Sequence, residues 1–363
     1  MILTRFLYCK DEVELSLMMA LLKNEDLRII YYWAYELYYS GFDIFELVLK
    51  IYLDFYYEKQ PYLLTYILKK QQLWKADGAM HHIAYVLRNM YKLHSTNTVF
   101  LARQYMFNYN GERWDYGATT KQTQQQYADF GPTILYKFKK KKTNMLENLC
   151  LALTYRHMDN VWYYLKTLLD KDKKEEDVDV VDVDVVDVGK VVEACLGIEL
   201  LENILQDSKI NLHYIIACIV NVLYTEMPVT HNKHIFIVPK PDHLNQMRAL
   251  EEDRIPIVYD TLMHKRMVTI DASIGLFELA RWQWPDTALV KEIWFHWEYY
   301  AMGAPLWQKR LTTGGGVVNH VTKQIEFPTE ELKEAFYELY GYEFDELPKE
   351  VQAMSLNTLL EKV

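Results

Sequence analysis

Apolar residues recur along Asp11 to Asn108 at the three- and four-residue spacing of amphipathic helices, as in Val13, Leu17 and Leu21 or Phe45, Val48, Leu49, Tyr52, Phe55 and Tyr56. No two-residue strand period survives there. Helix starts fall at Asp11, Asp26, Asp43, Gln60 (before Pro61), Asp77 and Ser95, in steps of 15, 17, 17, 17 and 18 residues. A carboxylate at a cap accepts from first-turn amides while a Glu three residues on reaches back, the pattern of Asp11–Glu14 and Asp43–Glu46. Gly41 is placed to end one helix, and Pro61 belongs in a first turn. Helices of about 12–15 residues with short joints run antiparallel, and pairs recurring about every 34 residues give an array that is either solenoid-like or an irregular bundle.

Within this array Tyr31–Tyr39 carries aromatics on every side of its helix, which predicts a central helix buried on several faces. The periodicity stops after Asn108, and a long loop holding Trp114 is expected up to Pro132. A lysine run, Lys137 and Lys139 to Lys142, precedes a helical pattern from Thr143 to Asp170. From Asp170 to Lys190 nine acids stand against four bases in an Asp/Val repeat, which reads as a flexible acidic linker because Asp disfavours strands. The expected organisation is a helical-array domain at 1–169, the linker at 170–190, and an α-rich C-terminal domain at 191–363.

That second half opens with helices over Val191–Gln206 and Asn211–Thr225. Ile235–Pro239 and Ile255–Tyr259 are β-rich beside prolines, hence edge strands or extended loops. Helices are expected again over Ala272–Arg281 and Asp286–Met302, a hairpin over Thr312–Phe327, and a last helix capped by Thr329. The fold class is therefore mainly α, with a small β-hairpin near the C-terminus.

Charge narrows the partners. A formal net charge of −10 argues against sequence-independent binding of nucleic acid or anionic lipid over the whole surface, although the lysine run remains a local candidate for phosphate. The four cysteines, Cys9, Cys150, Cys195 and Cys218, are scattered without a CxxC and read as buried thiols of a reducing compartment. The N-terminus lacks the pattern of a signal peptide, and the longest apolar run, Ile210–Tyr224, is interrupted by Asn211, His213 and Asn221, so no membrane span and an intracellular location are expected. The 29 tyrosines suit interfaces where they cluster.

Motifs for chemistry are sparse. Gly314-Gly315-Gly316 is followed by Val317 rather than Lys and Ser/Thr, so a turn accounts for it better than a phosphate cradle. His231, His234 and His243 lack the helix that makes a histidine pair converge on a metal. His81 and His82 are adjacent, which on a helix turns them about 100° apart and keeps them from readily sharing one ion. No metal or cofactor is expected. His296 and Glu298, in the aromatic run Trp294–Tyr300, are the acid–base candidates, while Trp297 and Ala301 share a face read as core.

Two stretches carry a resemblance: Tyr31–Tyr57, with its core Tyr-Tyr-Trp-Ala-Tyr-Glu-Leu-Tyr-Tyr-Ser-Gly-Phe, and His296–Arg310, with His-Trp-Glu-Tyr-Tyr-Ala and then Pro305-Leu306-Trp307. They resemble an uncharacterised family encoded by nucleocytoplasmic large DNA viruses, which implies a viral setting in host cytoplasm or virion and no mechanism. The expected function is a non-enzymatic helical interaction or scaffold protein with a protein partner, in viral assembly or replication, with Trp114, Trp297 and His296 as contact candidates. The alternative is a nucleic-acid-associated factor using Lys137 and Lys139 to Lys142, and an enzyme stands third.

Overall fold

The computed structural model describes residues 1–107, 161, 210, 212–224, 236–245, 292–293 and 295–340. It is mainly helical with one small antiparallel hairpin, as the periodicity predicts. The helices are α1 (Lys10–Leu22), α2 (Leu27–Tyr39), α3 (Ile44–Phe55), α4 (Leu63–Asp77), α5 (His81–Met90), α6 (Thr98–Phe107), α7 (Leu212–Tyr224), α8 (Trp297–Ala301), α9 (Pro305–Thr313) and α10 (Glu330–Tyr340). Strands β1 (Val317–Asn319) and β2 (Gln324–Glu326) form the hairpin, with Val318 opposite Ile325.

Local chemistry explains several helix ends. Asp26 caps α2 by accepting from the Arg28 amide at 2.9 Å, and Asp43 accepts from the amides of Phe45 and Glu46 at 3.0 and 3.3 Å. Helix α2 ends in a Schellman turn: Gly41 has φ +89°, its N–H bonds the Tyr38 carbonyl at 2.9 Å, and the Phe42 N–H bonds the Leu37 carbonyl at 3.1 Å. Asp11 behaves differently from expectation. The cap of α1 is Cys9, and Asp11 lies buried inside the first turn with its carboxylate on the Glu12 amide. The reason is tertiary, since residues 2–10 fold back on themselves through Lys10 N–H to Ile2 and Thr4 N–H to Tyr8, so the helix starts where that turn ends.

The chain divides into two compact units, one formed by Met1–Leu47, Lys70–Lys92 and Phe236–Val363, the other by Val48–Lys69 and Leu93–Ile235. The sequential division expected at 170–190, like the helices expected over Thr143–Asp170, Val191–Gln206 and Ala272–Arg281, lies outside the described residues.

In the first unit α2 packs against both α1 and α5, a pairing that a stack of helix pairs meeting only their neighbours does not make. Its buried core joins Leu3, Leu7 and Cys9 to Trp297, Tyr300, Trp307, Leu311, Phe336 and Tyr337. The N-terminus is stitched in by backbone: Leu3 N–H donates to the Tyr300 carbonyl at 3.1 Å, and the Trp307 indole donates to the Thr4 carbonyl at 3.0 Å. Glu36, the one acid of the aromatic helix α2, is fully buried. It accepts from the Arg5 guanidinium at 3.2 and 3.3 Å and from the Phe6 amide at 2.8 Å. Such a pair spares a buried charge from standing alone, which would cost several kcal/mol.

Two expectations near the C-terminus change. The helix expected over Asp286–Met302 bends at His296, whose φ of −135° and ψ of 34° begin the separate helix α8. The hairpin expected over Thr312–Phe327 is shorter, because Thr312 and Thr313 belong to α9 and Gly314–Gly316 form the turn that closes it, with Gly316 N–H on the Leu311 carbonyl; a Cβ on Gly316 would sit 2.7 Å from Ile325. The hairpin itself turns at Asn319–Lys323, where Lys323 takes φ +57° and the Asn319 carboxamide accepts from the amides of Val321 and Thr322. Thr329 caps α10 as expected, its hydroxyl accepting from the Leu332 amide at 3.3 Å. Ile235–Pro239 is described from Phe236 onward as irregular chain, clasped where the Asn89 carboxamide bonds both the N–H and the C=O of Ile237.

In the second unit, Arg103 of α6 meets Asp54 of α3 through two hydrogen bonds, 2.9 and 2.8 Å, with both side chains buried. The guanidinium also lies 4.1 Å from the Tyr214 ring of α7, so one cation ties three helices. Cys218 of α7 is a buried thiol whose pKa burial pushes up, and Cys9 is likewise buried, whereas Cys150 and Cys195 lie outside the described residues.

Candidate functional site

Two clusters of titratable side chains in the first unit can hold chemistry. The first is built at the α4–α5 junction. Asp77 is the last residue of α4, and Gly78, at φ +65°, reverses the chain so that the carboxylate folds back over the start of α5. Asp77 Oδ1 accepts from the Ala79 amide at 2.8 Å, which leaves Oδ2 facing His82 Nε2 at 2.9 Å. His81 lies alongside, its ring centroid 4.1 Å from that of His82. One donor atom from each of Asp77, His81 and His82 falls within 4.8 Å of the others. The two rings thus lie closer together than the turn of about 100° between adjacent helix positions implies. They sit in a first turn, where the preceding chain supplies a third group and side-chain rotation brings the two rings together.

The aromatic helix α2 holds this junction. The Tyr38 hydroxyl donates to the Gly78 carbonyl, the Tyr39 hydroxyl to the Met80 sulfur, and the Tyr35 hydroxyl to the Met80 carbonyl at 3.5 Å. The Ala79 amide and then His82 hold the Asp77 carboxyl below the usual carboxylate range. Burial, followed by the neighbouring His82, lowers the pKa of His81, which favours its neutral form. Lys70 is the nearby cation, its ammonium 4.4 Å from the centroid of the Tyr85 ring.

The second cluster joins α8 to the hairpin. The Tyr300 hydroxyl donates to Glu292 Oε1 at 2.7 Å, and the Lys323 ammonium bonds both Glu292 and the Tyr300 oxygen. Burial and then the Glu292 carboxylate push Tyr300 up to about 12, so the phenol stays protonated at neutral pH. Burial works against the Glu292 charge, but the bonds from Lys323 and Tyr300 outweigh it and hold the carboxyl below its usual range. Each group thus stays in its ordinary charge state and satisfies the others, which describes a strut rather than a proton relay.

The residues singled out from sequence fall as follows. Trp297 is buried in the core, edge-on to Trp307 at a centroid distance of 5.6 Å, so it packs rather than presenting an exposed anchor. His296 stands at the bend before α8, partly buried, with its Nδ1 meeting no hydrogen-bond partner among the described residues. Glu298 accepts from the Tyr337 hydroxyl at 2.9 Å, tying α8 to α10. Trp114, Lys137, Lys139, Lys140, Lys141 and Lys142, with His231 and His234, lie outside the described residues. His243 lines an open recess of about 300 Å³ with Asp26, Leu27, Arg28 and Tyr31. Asp77 was legible only as a helix cap, because nothing in linear spacing says that a cap will also face a histidine pair. Among the described residues no helix is long and apolar enough to cross a membrane.

No protein-family model matches the chain, and no curated protein or solved structure matches it either.

Proposed function

We propose that this chain is a non-enzymatic helical interaction protein that docks a protein partner through its C-terminal hairpin and α10. The observation that carries this is apolar exposure in one short stretch: Val317 is 63 % exposed, Val321 93 %, Leu339 50 % and Leu332 41 %. Contiguous apolar patches mark interaction sites, and these four exposed side chains fall within 23 residues of one another along the chain. The hairpin adds a second means of contact, since among the described residues each of its strands pairs with one neighbour only and leaves an outer edge for an added strand. The tied-off state of Glu292, Tyr300 and Lys323 supports a binding role over a catalytic one. In the viral setting that the resemblance of Tyr31–Tyr57 and His296–Arg310 implies, the partner belongs to assembly or replication.

The test is affinity capture from cells making the protein, comparing the parent with Val321→Glu combined with Leu339→Glu. Both positions are solvent-facing, so circular dichroism and the melting temperature should stay unchanged. One protein recovered by the parent and lost from the variant supports the reading. Identical recoveries refute it, and recovery of nucleic acid, abolished by changing Lys137 and Lys139 to Lys142 to Glu, would replace it with the nucleic-acid reading.

A further inference from the structure

We infer that Asp77, His81 and His82 form a binding site for a divalent first-row transition ion, with zinc the natural occupant by ligand chemistry. One carboxylate and two imidazoles make a mixed oxygen and nitrogen set. Imidazole suits zinc, copper and nickel, whereas magnesium and calcium take mainly oxygen. Three protein ligands leave a fourth tetrahedral position for water or a partner's side chain.

The geometry is close to what an ion requires. Metal–ligand bonds of about 2.0–2.2 Å place tetrahedral ligands roughly 3.3 Å apart, and Asp77 Oδ2 and His82 Nε2 are already 2.9 Å apart. The widest separation in the set is within 4.8 Å, and His81, only partly buried, has room to swing in and close it. The supporting bonds are also in place. The Ala79 amide fixes the carboxylate through Oδ1 and leaves Oδ2 for an ion, and Tyr38, Tyr39 and Tyr35 anchor the backbone and Met80 beside it.

The His82 side chain is 6 % exposed, so burial holds the ring in place with Nε2 turned toward Asp77. The Lys70 ammonium opposes a cation here, and the Asp77 carboxylate offsets it at shorter range.

The experiment uses the full chain, stripped with a chelator and titrated with zinc chloride by calorimetry at neutral pH, then with cobalt(II) followed by visible absorption. One equivalent of zinc and the d–d bands of a four-coordinate cobalt site are expected. His81→Ala and Asp77→Asn, both at partly exposed or exposed side chains, should each weaken zinc binding by at least about tenfold, since even groups one shell further out cost about 10–100-fold. Circular dichroism should confirm that both variants fold. The inference is overturned if the parent binds no zinc, in which case the cluster is hydrogen-bonded only. It is equally overturned if folded His81→Ala and Asp77→Asn bind zinc as the parent does, which would place the ion elsewhere.

Discussion

Gly41→Ala separates two physical costs, because the protein holds an internal control in Gly78. Both glycines have positive φ, +89° and +65°, so a methyl group at either meets the steric cost of left-handed backbone, about 1–2 kcal/mol. Around Gly78 nothing lies within 4 Å of the added carbon, whereas at Gly41 it would sit 2.7 Å from Pro305 Cβ and 3.1 Å from Pro305 Cγ. The proline ring cannot swing aside. It begins α9, and the neighbouring Leu306 N–H bonds the Ser40 carbonyl at 3.2 Å. Overpacking of this kind costs about 1–3 kcal/mol. Gly41→Ala should therefore destabilise by about 2–5 kcal/mol and Gly78→Ala by about 1–2 kcal/mol. The assay is hydrogen exchange of the α2 and α9 amides together with denaturant unfolding, reading the midpoint at unchanged slope. Equal losses for the two variants would refute the reasoning, since they would mean that α9 does not press on the end of α2 in solution.

Arg103→Met should cost about 3–5 kcal/mol, measured by denaturant unfolding, because it leaves the Asp54 carboxylate buried without its two hydrogen bonds; a loss under about 1 kcal/mol would mean that the pair is solvated. For Asp26, the bonds from the Arg28 side chain and amide lower the carboxyl from 3.8 to about 2. A depressed folded pKa contributes stability that is present above about pH 4 and is lost as the pH falls toward 2. An NMR titration of the Asp26 carboxyl should show its midpoint near 2, and a midpoint near 3.8 would show that the cap of α2 is frayed.

What could be read without the fold was local. Periodicity and caps placed α2, α3 and α7 closely, because a helix start at Asp26 or Asp43 depends on a carboxylate two or three residues from the amides it satisfies, whereas Asp77, read as the start of α5, is the last residue of α4. Gly41 was legible as a terminator for the same reason, and so was Thr329 as a cap. The all-round aromatic pattern of α2 correctly announced a helix buried on several sides. Of the candidate site, only the presence of two adjacent histidines and an acid was visible.

The tertiary structure decided everything that joins distant residues. Glu36 needs a cation, but no spacing rule points 31 residues back to Arg5. Trp307 bonds Thr4 across 303 residues, and the close approach of Pro305 gives Gly41 a second reason to be glycine. The bend at His296 likewise escapes a pattern that stays helical through Met302. At the candidate metal site the deciding feature is the left-handed Gly78, which turns a helix-ending Asp77 back onto His81 and His82 while α2 tyrosines clamp the turn. Short-range hydrogen bonds are written in neighbouring residues, whereas convergence of side chains depends on where the backbone reverses and what packs against it.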